Sequence, residues 1–124
     1  MQLVDVLVVE DEQLLLTAIV NKLTLEKISV IGCQTGEEAW KNLEVKQTLP
    51  KVIWLDYYLP DTNGLEIIKK LKSDNRWNKI PVIVVSNSAS LDGVEEMKQQ
   101  GIEKFFIKSD SRLDEIIITV KSLI

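Results

Sequence analysis

The chain has 124 residues, of which 45% are hydrophobic and 27% are charged, as expected for one soluble globular domain. Its 15 Lys and Arg against 19 Asp and Glu give a net charge of −4, which disfavours nucleic acid as a partner. It contains no histidine. That absence excludes Ser-His-Asp catalysis, histidine-ligated zinc and a phosphohistidine carrier on this chain.

The sequence also limits the cellular compartment and the redox chemistry that can be expected of this chain. Cys33 is the single cysteine, so no internal disulfide is possible, and its place at the end of an apolar run predicts a small buried residue. No apolar run approaches the roughly 20 residues that a membrane span needs. The N-terminus lacks the pattern of a signal peptide, so we expect a cytoplasmic protein.

Five short apolar runs, separated by stretches with helical spacing, organise the chain. The runs are Leu3–Val9, Ser29–Gly32, Val52–Leu55, Val82–Val85 and Phe105–Ile107. Four are continuous rather than alternating, which is typical of strands buried on both faces of a parallel sheet. The clearest helical stripe follows the fifth run and consists of Leu113, Ile116, Ile117, Val120 and Ile124. The alternation predicts an α/β fold, an open parallel sheet with helices on both sides, in a single domain over residues 1–124.

Proline, glycine and tryptophan positions refine this prediction. Pro50 is expected to precede the third strand, and Gly101 to end the fourth helix. Trp54 lies within the third run and is expected in the core. Trp40 and Trp77 are expected to be partly packed.

Charged and hydroxyl side chains follow four of the five predicted strands. Glu10 and Asp11 follow the first strand, Asp56 the third, Ser86 the fourth and Lys108 the fifth. In open parallel sheets, ligands bind outside the carboxyl ends of the strands. Three crowded carboxylates attract a cation, and an all-oxygen ligand set suits a hard ion such as Mg²⁺. A carboxylate can also accept a phosphoryl group, whose charge the ion and Lys108 would neutralise while Ser86 donates a hydrogen bond.

Five segments, in this order and at these spacings, resemble the receiver domain of two-component response regulators. They are Val8–Glu12, Thr35–Ala39, Asp56–Gly64, Ile80–Ser86 and Phe105–Lys108. The resemblance spans essentially the whole chain. It implies a flavodoxin-like doubly wound sheet of five parallel strands in the order 2-1-3-4-5, flanked by five helices.

The resemblance also implies a role for each site residue. Asp56 is the phosphoacceptor. The carboxylates of Asp11 and Asp56 and the backbone carbonyl of Tyr58 bind Mg²⁺, and Glu10 acts through a bound water. Ser86 and Lys108 contact the phosphoryl group, and Phe105 is the aromatic residue of the switch.

The implied function is a phosphoacceptor switch rather than an enzyme. The phosphoryl group would come from a sensor histidine kinase or a histidine phosphotransfer protein. Phosphorylation would draw Ser86 inward, reposition Phe105 and shift the face formed by the fourth helix, fifth strand and fifth helix toward an output partner.

The chain departs from the usual pattern of the family at three positions. Ser109 follows Lys108 where proline is usual, so we expect a trans peptide there. Asn87 follows Ser86 where a small residue is usual, and Phe105 stands in place of tyrosine. Asn87 and the bulky Tyr58 are expected to restrict water, which predicts slow loss of the phosphoryl group and a slow reaction with small phosphodonors. Ser88 is expected to flank the same path. The alternative is that Tyr58 points to solvent and has no effect.

Two other functions remain open from sequence. A Mg²⁺-dependent phosphohydrolase of the haloacid dehalogenase type also forms an aspartyl phosphate, but Asp56-Tyr57-Tyr58 lacks the second Asp of its Asp-x-Asp pair. A degenerate receiver that acts only as a binding module is disfavoured by the intact set of acids, Ser86 and Lys108.

Overall fold

A computed structural model describes residues 2–87 and 91–124. Its strands are β1 (Gln2–Val9), β2 (Val30–Cys33), β3 (Thr48–Leu55), β4 (Val82–Ser86) and β5 (Lys104–Ile107). Its α-helices are α1 (Gln13–Leu25), α2 (Gly36–Trp40), α3 (Gly64–Lys72), α4 (Leu91–Gln99) and α5 (Leu113–Leu123). A π-helical turn at Lys41–Val45 continues α2, and a 3₁₀ turn at Lys108–Asp110 follows β5. Ser88 lies outside the described residues.

The five strands form one parallel sheet in the order β2-β1-β3-β4-β5, which confirms the predicted topology. The register aligns the carboxyl ends of the strands. Val9 pairs with Cys33 on one side and with Leu55 on the other, and Ser86 pairs with Ile107. Ser86 at the end of β4 and the side chains that follow β1, β3 and β5 therefore emerge at the same edge of the sheet.

Side chains on the two faces of the sheet build two separate cores. On one face, Leu7 and Val9 pack with apolar residues of α2, α3 and α4. On the other, Val6 and Val8 pack with α1 and α5. Because successive strand residues point to opposite faces, both sets must be apolar, which explains the continuous runs in the sequence. Trp54 is buried in the second core, as predicted, whereas Trp77 is buried in the first core more fully than predicted.

The third strand begins earlier than predicted. β3 starts at Thr48, so Pro50 lies inside the strand, paired with Val4, instead of preceding it. Pairing with β4 starts only at Ile53. Pro50 therefore sits where β3 has a neighbour on one side, the kind of position at which a strand tolerates a residue without an N–H group.

The second helix is shorter than its sequence pattern suggests. After Trp40 the hydrogen bonding changes, and Lys46 N donates to Lys41 O across five residues. Asn42 stabilises the junction, since its side-chain amide donates to Glu38 O at 3.0 Å and to Cys33 Sγ at 3.4 Å. Single π-helical turns inside helices have this wider bonding pattern.

The other helix boundaries agree with their sequence signals. Thr35 Oγ1 accepts a hydrogen bond from Glu38 N, and Asn63 Oδ1 accepts one from Glu66 N, so each caps the helix that follows. Gly101 has φ of 90° and stands just after α4, as predicted. None of the helices in the described ranges is long and apolar enough to span a bilayer.

Cys33 should be almost unreactive in the folded protein. Burial and the charge of Glu38 raise the pKa of its thiol to about 11, whereas the ordinary value is 9.0. Since the thiolate is the nucleophile, this shift alone should slow alkylation at pH 8 roughly a hundredfold. The rate of labelling by iodoacetamide, with and without denaturing urea, measures the effect. Equal rates in the two conditions would show that Cys33 is exposed.

Candidate functional site

Two backbone hydrogen bonds fix the acids at the carboxyl edge of the sheet. Glu10 N donates to Cys33 O at 2.9 Å, and Asp56 N donates to Val9 O at 2.9 Å. The ladder thus continues one residue beyond the ends of β1 and β3. Glu10 is 1% exposed and Asp56 is 5% exposed, so both carboxylates lie at the floor of a crevice rather than on the surface.

Lys108 joins these carboxylates from the other side of the crevice. Its Nζ lies 2.5 Å from Glu10 Oε1 and 3.0 Å from Asp56 Oδ2. The backbone N–H of Glu12 donates to the other oxygen of Glu10 at 3.0 Å. Side chains from the ends of β1, β3 and β5 therefore form one charged cluster, with a single ammonium group between two carboxylates.

Burial and the neighbouring charges both shift the pKa values of the cluster. Burial raises the pKa of Glu10 to about 7, with a contribution from the charge of Asp56, although hydrogen bonds from Lys108 and Glu12 oppose the shift. Burial also disfavours the charge of Lys108, but its bonds to Glu10 and Asp56 outweigh that effect, and its pKa lies above the ordinary value. Glu10 is therefore harder to ionise than an ordinary glutamic acid, whereas Lys108 holds its proton more firmly than an ordinary lysine.

A third carboxylate completes a set that fits a divalent cation. Glu10, Asp11 and Asp56 each offer one oxygen, and these oxygens lie within 4.8 Å of one another. Asp11 is exposed at the mouth of the crevice, whereas the other two are buried. Hard oxygen ligands in a small, partly open cluster suit Mg²⁺, which keeps several waters when it binds proteins. The residues present therefore fit the ion that the sequence predicts.

Comparison with known proteins now assigns the family. The model of the response regulator receiver domain matches residues 6–121. This chain belongs to that family.

Individual relatives agree with the assignment. The receiver is 31% identical to chemotaxis protein CheY1 of Helicobacter pylori over 103 residues, which cover 82% of each chain. It is 32% identical to the polar-differentiation response regulator DivK of Brucella anthropi, covering 95% of this chain and 94% of DivK. Among solved structures, the phosphorylated cyanobacterial phytochrome response regulator RcpA is 26% identical with a TM-score of 0.81, covering 96% of this chain and 89% of RcpA.

The other predicted site residues are Ser86, Phe105 and Tyr58, and their roles stay predictions. Ser86 ends β4 and is buried, and no described peptide bond is cis, as predicted for the one between Lys108 and Ser109. Phe105 is half-buried and packs with the core of α2, α3 and α4, whereas Phe106 points into the other core. Tyr58 is 52% exposed, with its ring edge against Tyr57.

The loop after Asp56 closes tightly on itself. Gly64 N donates to Tyr57 O at 2.6 Å, and Tyr58 pairs with Asn63 in an isolated antiparallel bridge. A Cβ atom at Gly64 would lie 3.1 Å from Tyr57 Cα and 3.2 Å from Asp56 O. Glycine therefore lets α3 begin directly against the backbone of the proposed phosphoacceptor.

Sequence reasoning missed the residue that anchors this loop to the rest of the receiver. The two carboxylate oxygens of Asp61 accept hydrogen bonds from Gly36 N at 2.9 Å and Glu37 N at 2.8 Å. A Cβ atom at Gly36 would lie only 2.5 Å from Thr62 Cγ2, so glycine is also needed for this approach. Asp61 thus caps α2 from a distant loop, and no local sequence signal connects the two segments.

Asp61→Ala should lower the free energy of unfolding by about 1 kcal/mol, as is usual when a capping side chain is lost. Although burial opposes its charge, the bonds from Gly36 and Glu37 lower the pKa of Asp61. Its contribution should therefore be complete above pH ~4 and fade as the pH falls further. Urea denaturation at several pH values measures the difference.

The matched variants are Asp61→Asn and Asp110→Ala. The amide oxygen of the introduced asparagine can still accept one of the two bonds, so Asp61→Asn should lose less stability than Asp61→Ala. Asp110 is an exposed carboxylate in the 3₁₀ turn, and its loss should have little effect. If Asp61→Ala and Asp110→Ala lose the same stability, the anchor is not significant.

Proposed function

We propose that this receiver domain, formed by residues 1–124, accepts a phosphoryl group on Asp56 and acts as a signalling switch. The observation that carries the proposal is the pairing of a buried carboxylate with an ammonium group, Asp56 Oδ2 to Lys108 Nζ at 3.0 Å, within reach of two further acids. A carboxylate in this setting is a nucleophile next to a group that can balance charge on the phosphoryl oxygens. The relative RcpA, described as phosphorylated, supports the same chemistry.

The transfer would exchange one bond to phosphorus for another. An oxygen of Asp56 attacks the phosphorus atom of a phosphohistidine on a histidine kinase or phosphotransfer protein. A P–O bond forms, the P–N bond breaks, and the imidazole leaves with the electron pair of that bond and takes up a proton. Lys108 lies beside the attacking carboxylate, and we assign it to the phosphoryl oxygens, with Ser86 as a hydrogen-bond donor.

Mg²⁺ would be held by Asp11, Asp56 and the carbonyl of Tyr58, with Glu10 acting through a water. When bound, the ion supplies positive charge that stabilises the transferring group. The residues of the chain hold the proposed ligand atoms in position. The ladder bonds of Glu10 and Asp56 hold their carboxylates in place, and the closed loop after Asp56 limits where the carbonyl of Tyr58 can lie.

The output face is proposed around Phe105. A groove of about 460 Å³ lies between α4 and β5, and its lining residues are Val94, Lys98, Ile102, Glu103, Lys104 and Phe105. Phe105 is only half-buried there, so a change in its position would alter the floor of the groove. An output partner that binds this groove would sense the state of the switch.

Asp56→Asn should abolish phosphorylation because an amide oxygen is too weak a nucleophile to form the acyl phosphate. Incubation with acetyl phosphate and Mg²⁺ should raise the intact mass of the wild-type receiver by one phosphoryl group. The product should be labile in base and react with hydroxylamine. Chelation of Mg²⁺ should suppress the gain.

Asp110→Asn is the control, because this exposed acid lies outside the crevice and its loss should leave the mass gain intact. Phosphorylation that persists in Asp56→Asn would refute the assignment of the acceptor. A wild-type receiver that gains no phosphoryl group would favour the degenerate binding module. Steady release of inorganic phosphate from many phosphoesters would favour the phosphohydrolase.

A further inference from the structure

One side-chain hydrogen bond joins the loops that follow β4 and β5. Ser109 N donates to Asn87 Oδ1 at 2.9 Å. In the parallel ladder between β4 and β5, Glu103 N donates to Val82 O, and every second N–H group of β5 faces β4. Ser109 follows Glu103 by an even number of residues, so its N–H group continues this alternation. The last pair of that ladder is Ser86 with Ile107. The amide oxygen of Asn87 therefore provides a further acceptor just beyond the end of the two strands.

The bond lies directly beside the two residues proposed to contact the phosphoryl group. Asn87 follows Ser86 in the chain, and Ser109 follows Lys108. The side chain of Lys108 is held at its far end by Glu10 and Asp56, but those contacts do not fix the backbone from which it extends. The bond between Asn87 and Ser109 ties that backbone to the end of β4.

The bond depends on two features of this chain that were noted as departures from the family pattern. A proline at position 109 would have no N–H group to donate. A small residue such as alanine or glycine at position 87 would have no side-chain acceptor. Asn87 and Ser109 complement each other, since each supplies the half of the bond that the usual residue lacks.

We propose that Asn87 and Ser109 form a clamp that positions Ser86 and Lys108 for phosphoryl transfer. The clamp consists of the Asn87 side chain and the Ser109 backbone N–H, and its role rests on the proposed function of Asp56. Donors that are already in place need no reorganisation when charge develops on the transferring group. Release of the clamp lets the two loops separate, which lowers the fraction of molecules with both groups in place.

The clamp can be broken from either side and tested against a close control. Asn87→Ala removes the acceptor, and Ser109→Pro removes the donor. Ser109→Ala changes the side chain but keeps the N–H group, so it leaves the clamp intact. The rate of phosphorylation by acetyl phosphate at saturating Mg²⁺ should fall roughly two- to tenfold in Asn87→Ala and in Ser109→Pro, the range expected for one hydrogen bond. It should stay at the wild-type value in Ser109→Ala.

Two further results separate a positioning role from a general defect. The double variant Asn87→Ala/Ser109→Pro should be no slower than the slower single variant, because both changes remove the same bond. Mg²⁺ affinity should change little in all of them, since the proposed metal ligands follow β1 and β3 and the ammonium group of Lys108 keeps its contacts with Glu10 and Asp56. Additive losses, a wild-type rate in Asn87→Ala, or an equal loss in Ser109→Ala would overturn the proposal.

Amide hydrogen exchange tests the clamp independently of phosphorylation. By NMR, the Ser109 amide should exchange with solvent several-fold faster in Asn87→Ala than in the wild type, while the Glu103 amide within the ladder should keep its rate. A Ser109 amide that exchanges equally fast in both proteins would refute the clamp. A wild-type receiver with a protected Ser109 amide but no phosphorylation would instead refute the proposed function.

Discussion

The ammonium group of Lys108 lies between the carboxylates of Glu10 and Asp56, and the charged crevice depends on this contact. Both acids are buried, and an unpaired charge in such a place destabilises a fold by several kcal/mol. The contact also links the ends of three strands, β1, β3 and β5. Because one positive charge faces three acids, the crevice keeps a net negative charge that a divalent ion can neutralise. Burial, with a contribution from the charge of Asp56, raises the pKa of Glu10, and the grouping of the three acids fits Mg²⁺.

Around this centre the receiver uses hydrogen bonds between segments that are distant in sequence. Asp61 ties the loop after Asp56 to the start of α2. Asn87 and Ser109 tie together the loops after β4 and β5. The central cluster provides the charges that the chemistry needs, and these outer bonds limit how far the surrounding loops can move. A switch needs both properties, since its reacting groups must be held while its output face remains free to change.

The strand-end residues could be predicted because they follow from short local patterns, whereas the sheet order was implied by the resemblance to receiver domains. Continuous apolar runs are typical of the interior strands β1, β3 and β4 of a covered sheet, and parallel pairing then brings Glu10, Asp56 and Lys108 to one edge. The pattern could not reveal contacts made by side chains with distant backbone, such as those of Asp61. Nor did it reveal the π-helical turn after Trp40, since this turn ends the helix and too few residues follow for a change in hydrophobic spacing to be seen. The prediction that Pro50 precedes the third strand was wrong, because a proline interrupts a strand only where the strand is paired on both sides.

The most direct test of the central cluster is the Mg²⁺ affinity of Lys108→Met, measured by calorimetry beside the wild type. If the Lys108 ammonium group offsets the charge of Glu10 and Asp56, its removal should tighten Mg²⁺ binding about tenfold or more, since a repelling charge of this size is worth at least ~1.4 kcal/mol at such distances. Lys104→Met, a change at the other end of β5, should bind Mg²⁺ as the wild type does. Unchanged or weaker binding in Lys108→Met would contradict the account, because Lys108 and the ion would then not share the same carboxylates.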